Sequence, residues 1–276
     1  MLTCKEYTDL KKKELKAYIE EKNLHPKLVV IQVGHVPESD SYINGKKKDC
    51  DEVGIECVVS NWEEGISQCL LSGVIDVFNN DEDVHGIIVQ LPLPKHINVK
   101  EIQEKIDPKK DVDGFGKSSP FDPCTPKGVR DFLVYIGYEF EGKDALVIGR
   151  SPIVGKPLAD MLTDLNCTVT LAHSKTPDAY LREHMYRADI TFFCINKIGY
   201  FGMSYLDKLS ADYVDIGLGA GEDGKLCGNL TKEFAEYTKS KAPGHICISG
   251  TGGVGLLTRL ALLENVVDAC EMQKGK

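Results

Sequence analysis

Near the middle of the chain, residues 147–157 read Val147-Ile148-Gly149-Arg150-Ser151-Pro152-Ile153-Val154-Gly155-Lys156-Pro157. An apolar run meets a glycine, a short polar turn, and a second glycine that opens a helical pattern. This is typical of a strand, a tight turn and a helix, the junction at which backbone N–H groups at a helix N-terminus bind phosphate. Gly149 permits the turn, Ser151 offers a hydroxyl, and Gly155 lets the helix pack close to the strand. The spacing is Gly-x5-Gly rather than Gly-x-Gly-x-x-Gly, so this turn alone is also compatible with a plain connection.

The second strand of this region bears on the choice of cofactor. Residues 168–171 are followed by Ala172-His173-Ser174-Lys175-Thr176, where such folds place the residue that contacts the adenine ribose. An acidic residue would accept hydrogen bonds from a free 2′-hydroxyl, but this turn has none. Ser174, Lys175 and Arg150 suit a 2′-phosphate, which favours NADP over NAD. The alternative is that the two cations are solvated surface charges.

Composition narrows the class of protein. The 276 residues carry 33 Lys and Arg against 42 Asp and Glu, a net charge of −9, which argues against a general nucleic-acid or acidic-membrane binder. The ten cysteines form no Cys-x-x-Cys pair and do not cluster with histidines, so we expect free thiols, no metal site and a reducing cytoplasm. We expect no signal peptide and no membrane span, because the start and the apolar runs do not fit either.

The first third of the chain contains a candidate catalytic pair. After a buried strand at residues 28–33, a helix is predicted from Ser39 or Asp40, as N-cap, to about Glu52. Tyr42 and Lys46 are four residues apart, so their side chains share one face of that helix. The competing interpretation of Lys46 is a solvated member of the lysine run at residues 46–48, since lysines are rarely buried.

Two further polar residues are candidate site residues: Gln90 at the end of a predicted strand and Asp113 in a predicted loop. Residues 85–90 look like a strand that ends at Gln90, and the sequence Leu91-Pro92-Leu93-Pro94 fixes an extended exit. Gln90 is thereby placed at the carboxyl end of a strand, where α/β sites form. Asp113 lies in a polar loop at residues 107–115. A loop-capping amide and a turn-forming carboxylate are the plainer alternatives.

Alternating strands and helices indicate an α/β fold with parallel sheets. Thr125 as N-cap and Pro126 at the first helical position mark a helix start, and we place a domain boundary there. The later strands are predicted at residues 190–195, 213–216 and 245–249, and a last helix from 256 to about 271. The expected domains are therefore residues 1–124 and residues 125–254.

Several stretches, in order and over nearly the whole chain, together resemble one family, the methylenetetrahydrofolate dehydrogenase/methenyltetrahydrofolate cyclohydrolases. The stretches are Ser39-x-x-Tyr42-x-x-x-Lys46-x-Lys48, Gly86-Ile87-Ile88-Val89-Gln90-Leu91-Pro92-Leu93-Pro94, Lys110-Asp111-Val112-Asp113-Gly114-Phe115, Pro123-Cys124-Thr125-Pro126-Lys127-Gly128, Gly149-Arg150-Ser151-x-x-Val154-Gly155-Lys156-Pro157, His173-Ser174-Lys175-Thr176 and Gly252-Gly253-Val254-Gly255. No single stretch is decisive, but their combination is highly specific.

The resemblance implies an amino-terminal α/β folate-binding domain, completed by about residues 255–276 as the last helix returns to it, and a Rossmann-like parallel-sheet NADP domain, usually in a homodimer. It implies that Lys46 is the catalytic lysine, Tyr42 stacks on the folate's aminobenzoyl ring, Gln90 holds the lysine and Asp113 grips the pterin. The expected cofactor contacts are Gly149, Arg150, Ser151, Gly155, Ser174 and Leu218, and Gly252 and Gly253 are expected substrate contacts.

The implied chemistry suits these residue types. Hydride leaves the methylene carbon between N5 and N10 for the nicotinamide, which mainly requires alignment of the two partners. Water then attacks the resulting methenyl cation and the ring opens to 10-formyltetrahydrofolate, a step that needs proton transfers of the kind a buried lysine can perform. A carboxylate suits the adjacent N–H donors of the pterin.

The chain departs from the family at a short bridge, residues 116–122, at Asn229 where an acidic residue is usual, and at residues 249–256, where Leu256 replaces a proline. These departures leave open the substrate-loop geometry, the balance of the two activities and the strength of cofactor binding. The sequence also does not give the physiological direction. Two other functions remain in competition: a different two-domain NADP oxidoreductase, and a folate- or nucleotide-binding protein that has lost catalysis.

Overall fold

The chain folds as two α/β units in a computed structural model that describes residues 2–34, 37–206, 211–221 and 225–274. The three-stranded unit comprises Thr8–Cys124 and Arg259–Lys276, and the five-stranded unit comprises Met1–Tyr7 and Thr125–Thr258. No helix in the described ranges is long and apolar enough to cross a membrane.

The elements follow one another in a largely alternating order. They are α1 (Cys4–Glu21), β1 (Lys27–Val33), α2 (Pro37–Val53), β2 (Glu56–Trp62), α3 (Gln68–Asn79), β3 (Gly86–Val89), α4 (Val99–Lys105), α5 (Cys124–Tyr135), β4 (Asp144–Ile148), α6 (Gly155–Asp164), β5 (Thr168–Ala172), α7 (Asp178–Arg187), β6 (Ile190–Phe193), β7 (Asp212–Asp215), β8 (Gly219–Ala220), β9 (Leu226–Cys227), α8 (Lys232–Lys241), β10 (Cys247–Ile248) and α9 (Val254–Lys274). A 3₁₀ turn at Met203–Tyr205 lies between β6 and β7.

The three-stranded sheet has the order β2-β1-β3, with both pairings parallel. Successive side chains of β1 point to opposite faces, as the pleat requires. Leu28 and Val30 join a core with residues of α2 and α9, whereas Val29 and Ile31 join a second core with residues of α3 and α4. Since both faces are covered, β1 is apolar at nearly every position, as expected of a strand in a parallel sheet.

The five-stranded sheet has the order β10-β7-β6-β4-β5 and is parallel throughout. Counted within the unit, this is the doubly wound order 2-1-3-4-5. The order reverses between β4 and β6, and ligands of such sheets bind outside the carboxyl ends of the strands at that reversal. The predicted two-domain α/β fold with parallel sheets is confirmed.

The structure corrects several local predictions. Helix α2 begins at Pro37, so neither Ser39 nor Asp40 is its N-cap, and the Ser39 hydroxyl instead donates to the Leu91 carbonyl at 3.4 Å. Helix α5 begins at Cys124, and the Thr125 hydroxyl lies 3.2 Å from that of Thr258. In both cases a tertiary partner takes the hydroxyl that would have capped the helix.

The predicted strand at residues 245–249 is only two residues long, β10, and an antiparallel pair, β8 with β9, was not predicted. β10 depends on its pairing with the distant β7, and β8 and β9 have two residues each, too few for alternation to reveal them.

Candidate active site

Helix α2 presents two of the predicted site residues on one face of the three-stranded unit. The Lys46 side chain is buried, with 7% of the residue exposed, whereas its neighbours Lys47 and Lys48 are exposed. Lys46 Nζ lies 5.4 Å from the centre of the Tyr42 ring, within the range of a cation–π interaction. The fold therefore selects one lysine of the run and packs it against an aromatic ring.

The third residue, Gln90, comes directly after β3. Its backbone N–H donates to the Ile31 carbonyl at 2.9 Å, which holds it against the end of β1. Its side-chain Oε1 accepts a hydrogen bond from Lys46 Nζ at 3.1 Å, and its Nε2 donates to the Leu91 carbonyl at 2.8 Å. The second bond fixes the amide so that its oxygen, rather than its nitrogen, meets the lysine.

Asp113 lies in the loop that follows α4. This segment runs beside β3, where the Ile87 N–H donates to the Lys110 carbonyl at 2.8 Å. Burial raises the pKa of the Asp113 carboxyl, and the positive charge of Lys46 and the Cys124 thiol oppose that rise. Asp113 is thus within electrostatic reach of Lys46, and the structure brings together all four residues of the predicted catalytic set.

One further contact, not predicted from the sequence, stabilises this set. Ser39 is buried, and its bond to the Leu91 carbonyl ties the first turns of α2 to the segment that follows Gln90. No pattern in the sequence distinguishes this serine from a helix cap. Together, these residues form a buried amine held by an amide, next to an aromatic face and a carboxyl. Such a group can exchange protons with a planar, polar molecule bound against the ring.

The glycine turn of the five-stranded unit has the geometry that its residues predict. Gly149 has φ +133°, in the region that favours glycine, and a Cβ there would collide with the Cys194 carbonyl. A Cβ on Gly155 would collide with the Gly149 carbonyl. The Ser151 hydroxyl accepts from the N–H groups of Val154 and Gly155 at 3.2 and 3.3 Å. Two bare glycines and a serine therefore shape the first turn of α6 at the carboxyl end of β4.

Arg150 and Ser174, two of the three residues predicted to contact a 2′-phosphate, follow the ends of neighbouring strands. In the parallel register, Ile148 of β4 pairs with Ala172 of β5. Arg150 and Ser174 each follow two residues later, and both are exposed. Parallel strands end at the same edge of a sheet, so Arg150 and Ser174 follow adjacent strands at one edge. Sheets of this type bind nucleotides at that edge.

The remaining predicted contacts are in loops of the same unit. Leu218 follows β7 and is 42% exposed, with the Gly217 N–H donating to the Phe193 carbonyl at 3.1 Å. Gly252 and Gly253 form the turn before α9, and Gly253 has φ +110°. In the described residues, no group of three His, Cys, Asp or Glu side chains could hold a metal ion.

A buried polar pair near the sheet reversal was not predicted as a functional feature. Asn229 is fully buried and donates to the carbonyls of Ile195 and Lys197 at 2.8 and 2.9 Å, so it fixes the loop that follows β6. Asp215 accepts from the backbone N–H groups of Asn229 and Leu230 at 3.0 and 2.8 Å. Burial raises the pKa of Asp215 to about 6, although these hydrogen bonds lower it.

These features define a two-unit α/β protein. One unit has the strand order and glycine turn of a dinucleotide-binding domain, and the other has a buried lysine beside an amide and a carboxyl. Residues 2–113 match the family model of the tetrahydrofolate dehydrogenase/cyclohydrolase catalytic domain, and residues 123–274 match that of its NAD(P)-binding domain. The chain belongs to the tetrahydrofolate dehydrogenase/cyclohydrolase family.

Individual relatives agree over nearly the full length. The bifunctional protein FolD of Ruminiclostridium cellulolyticum is 41% identical over 273 residues, which is 95% of this chain and 93% of the relative. The crystal structure of the FolD dehydrogenase/cyclohydrolase from Campylobacter jejuni has a TM-score of 0.89 at 35% identity and covers 98% of both chains. The Trypanosoma brucei FolD, whose structure was determined with NADP cofactor and an inhibitor, has a TM-score of 0.88 at 26% identity, covering 100% of this chain and 98% of the other.

Proposed function

We propose that this chain is a bifunctional enzyme that oxidises 5,10-methylenetetrahydrofolate with NADP and hydrolyses the resulting 5,10-methenyltetrahydrofolate to 10-formyltetrahydrofolate. The observation that carries the proposal is the cluster of the half-buried Tyr42, Gln90 and Asp113 around the buried Lys46 in a chain of this family. The three-stranded unit then forms most of the folate-binding catalytic domain, which we propose to span residues 1–124 with 255–276, and residues 125–254 form the NADP-binding domain.

In this proposal each residue of the cluster has a distinct task. The Tyr42 ring stacks on the aminobenzoyl ring of the folate, because it offers a flat apolar face beside the lysine. Asp113 accepts hydrogen bonds from adjacent N–H donors of the pterin. Gly252 and Gly253 contribute backbone contacts to the substrate, since neither has a side chain that would obstruct it.

Lys46 moves the protons of the hydrolysis. Water adds to the methenyl carbon as Lys46 takes one of its protons, and that proton passes to N5 as the bond between the carbon and N5 breaks. The remaining hydroxyl proton leaves to solvent as the formyl C=O forms. The Gln90 oxygen accepts a hydrogen bond from Lys46 Nζ at 3.1 Å and so fixes the direction of Nζ. The adjacent Tyr42 ring and the burial of the amine limit its access to solvent.

NADP, when bound, supplies the hydride acceptor of the oxidation. The residues proposed to hold it are Gly149, Arg150, Ser151, Gly155, Ser174 and Leu218. The bare backbone at Gly149 and Gly155 fits a pyrophosphate at the start of α6, where a Cβ at either position would clash with main-chain atoms. Arg150 and Ser174 suit the 2′-phosphate because a guanidinium group and a hydroxyl both donate hydrogen bonds to it.

The resemblance to the family also supports a homodimer, which sedimentation of the purified protein would test.

None of the ten cysteines, all of which the structure describes, forms a disulfide, which supports a location in the reducing cytoplasm. The net charge of −9 supports small molecules rather than nucleic acid as partners.

The test is a spectroscopic assay with 5,10-methylenetetrahydrofolate and NADP that follows reduced cofactor and the methenyl species separately, with NAD in parallel. We expect reduced cofactor to form without accumulation of the methenyl species. Lys46→Met should lower the hydrolysis rate by about 100-fold or more, the typical contribution of a general acid–base group, and lower the hydride transfer less.

Lys47→Met is the matched control, because it removes an exposed lysine from the next position of the same helix. It should leave both rates within about twofold of the wild type, as expected of an exposed position outside the cluster. Hydrolysis that survives Lys46→Met unchanged would contradict the proposed role of Lys46. A wild-type protein that binds folate and NADP but turns over neither would favour the binding-protein alternative.

A further inference from the structure

The carboxyl-terminal helix places a buried amide directly behind the loop of Asp113. Asn265, in the middle of α9, is 1% exposed. Its Nδ2 donates to the Val112 carbonyl at 2.9 Å and to the Asp122 carbonyl at 3.2 Å, and lies 3.7 Å from Cys124 Sγ. One amide group therefore holds the residue that precedes Asp113 and the far end of the same loop.

The loop between the Val112 and Asp122 carbonyls is held by its own contacts. Gly114 has φ +69°, and a Cβ there would lie 2.6 Å from the Phe121 carbonyl. The Gly116 N–H donates to Asp111 Oδ2 at 2.7 Å, and the Ser119 hydroxyl donates to the Asp111 carbonyl at 2.9 Å. Because the loop is cross-linked internally, fixing its two ends fixes the position of Asp113.

Burying an amide is costly unless its donors are bonded, so an asparagine at this site requires partners. Nearly all of the surrounding side chains of α9, such as Leu262, Leu263 and Val266, belong to the apolar core. The Cys124 thiol also donates to the Val112 carbonyl, at 3.3 Å, and it opposes the rise in the pKa of the Asp113 carboxyl. The polar contacts of this part of the core therefore converge on the backbone next to Asp113.

We infer that Asn265 is a positioning residue for substrate binding, which acts by holding the loop so that the Asp113 carboxylate grips the pterin. The inference rests on the proposed function of Asp113 and assigns a role to a residue 152 positions away in sequence. Asn265 touches no substrate in this scheme. It determines the position of the Asp113 carboxylate relative to Lys46.

The test is a double-mutant cycle with Asn265→Ala and Asp113→Asn, measured as KM for 5,10-methylenetetrahydrofolate and as the equilibrium binding of tetrahydrofolate. Asn265→Ala should raise KM about tenfold, because the binding free energy lost is about that of one hydrogen bond. It should change kcat by less than about twofold. In the Asp113→Asn background the same change should have almost no further effect, because residues that act as a unit are non-additive.

Gln273→Ala provides the matched control. Gln273 lies on the same helix, and its amide donates to the backbone carbonyls of His85, Lys109 and Ala269 at 3.1, 3.4 and 3.0 Å, none of which lies in the segment 112–122 that Asn265 holds. It should lower thermal stability without raising KM for the folate. Asn265→Leu, of similar size and without donors, replaces the alanine variant if the latter does not fold.

Equal rises in KM in both backgrounds would overturn the inference, as would an equal rise in KM for NADP or an equal effect of Gln273→Ala. If the wild type binds tetrahydrofolate without turnover, the proposed function fails, and the binding cycle still decides the role of Asn265. If the wild type binds no folate, both fail.

Discussion

Lys46 Nζ and Gln90 Oε1 lie 3.1 Å apart, so a helix and the end of a neighbouring strand are joined through the one buried side chain of a three-lysine run. The amide is itself held, because Gln90 Nε2 donates to the Leu91 carbonyl. A lysine on a flexible stem thereby acquires a defined direction, which proton transfer to a bound molecule requires.

Removing the amide should therefore affect one activity more than the other. We expect Gln90→Ala to lower the hydrolysis of methenyltetrahydrofolate about tenfold, because Lys46 loses the acceptor that fixes the direction of Nζ, and to lower hydride transfer less. Separate assays of the two steps measure this. Gln68→Ala, which removes an amide bonded to Glu101 on the same unit, is the control and should change neither rate. Equal losses in both activities would mean that Gln90 acts on the fold rather than on Lys46.

Cofactor preference should depend on Arg150. We expect Arg150→Ala to raise KM for NADP about 10- to 100-fold and to leave KM for NAD nearly unchanged, because only NADP carries the 2′-phosphate. Steady-state kinetics with both cofactors measure the split. Arg187→Ala is the control, since Arg187 lines a cavity with Asp144 and Thr168 at the amino ends of β4 and β5, the opposite edge of the sheet. Similar rises for both cofactors would contradict the assignment.

The stability of the protein should carry a pH dependence from Asp215. Its folded-state pKa, about 6, lies above the ordinary value of 3.8, so the folded protein binds the proton more tightly than the unfolded chain. The resulting stabilisation is complete below about pH 4 and is lost as the pH rises through 6, at most about 3 kcal/mol of the free energy of unfolding.

Urea unfolding of the wild type and of Asp215→Asn between pH 4 and 7 measures this. The difference in free energy between the two proteins should change with pH in that window in the stated direction. Asp164→Asn, which alters an exposed carboxyl of the same unit, is the control. A constant difference between wild type and Asp215→Asn would show that Asp215 does not titrate there.

Two mid-helix glycines should respond oppositely to alanine. A Cβ on Gly45 would collide with the guanidinium of Arg259, which is paired with the buried Asp49 at 2.9 Å. Nothing lies within 4 Å of a Cβ on Gly73. We expect Gly73→Ala to stabilise by about 1 kcal/mol, the intrinsic preference of a helix for alanine, and Gly45→Ala to destabilise by a similar amount.

Thermal or urea unfolding of both variants measures this pair of effects. In an Arg259→Ala background the collision is absent, so Gly45→Ala should no longer destabilise. A destabilisation that persists there would mean that the space beside Gly45 is not reserved for Arg259.

The sequence was sufficient to predict three features of the fold: the turn at Gly149 and Gly155, the strands with both faces buried, and the parallel two-unit architecture. These features depend on rules that act within about ten residues: the freedom of glycine at positive φ, the pleat of a strand and the period of a helix. The pairing of Tyr42 with Lys46 follows from the same rules, because residues four apart share a helix face.

The sequence by itself determined which residue types follow each strand and which helix carries the lysines. The tertiary structure alone decided that Lys46 is buried while Lys47 and Lys48 are exposed, and that Asn265 holds the loop of Asp113. The physical reason is that burial and hydrogen bonding are set by neighbours in space. Lys46 and Gln90 are 44 positions apart in the sequence, and Asn265 and Val112 are 153 positions apart. A local sequence pattern does not extend over such separations.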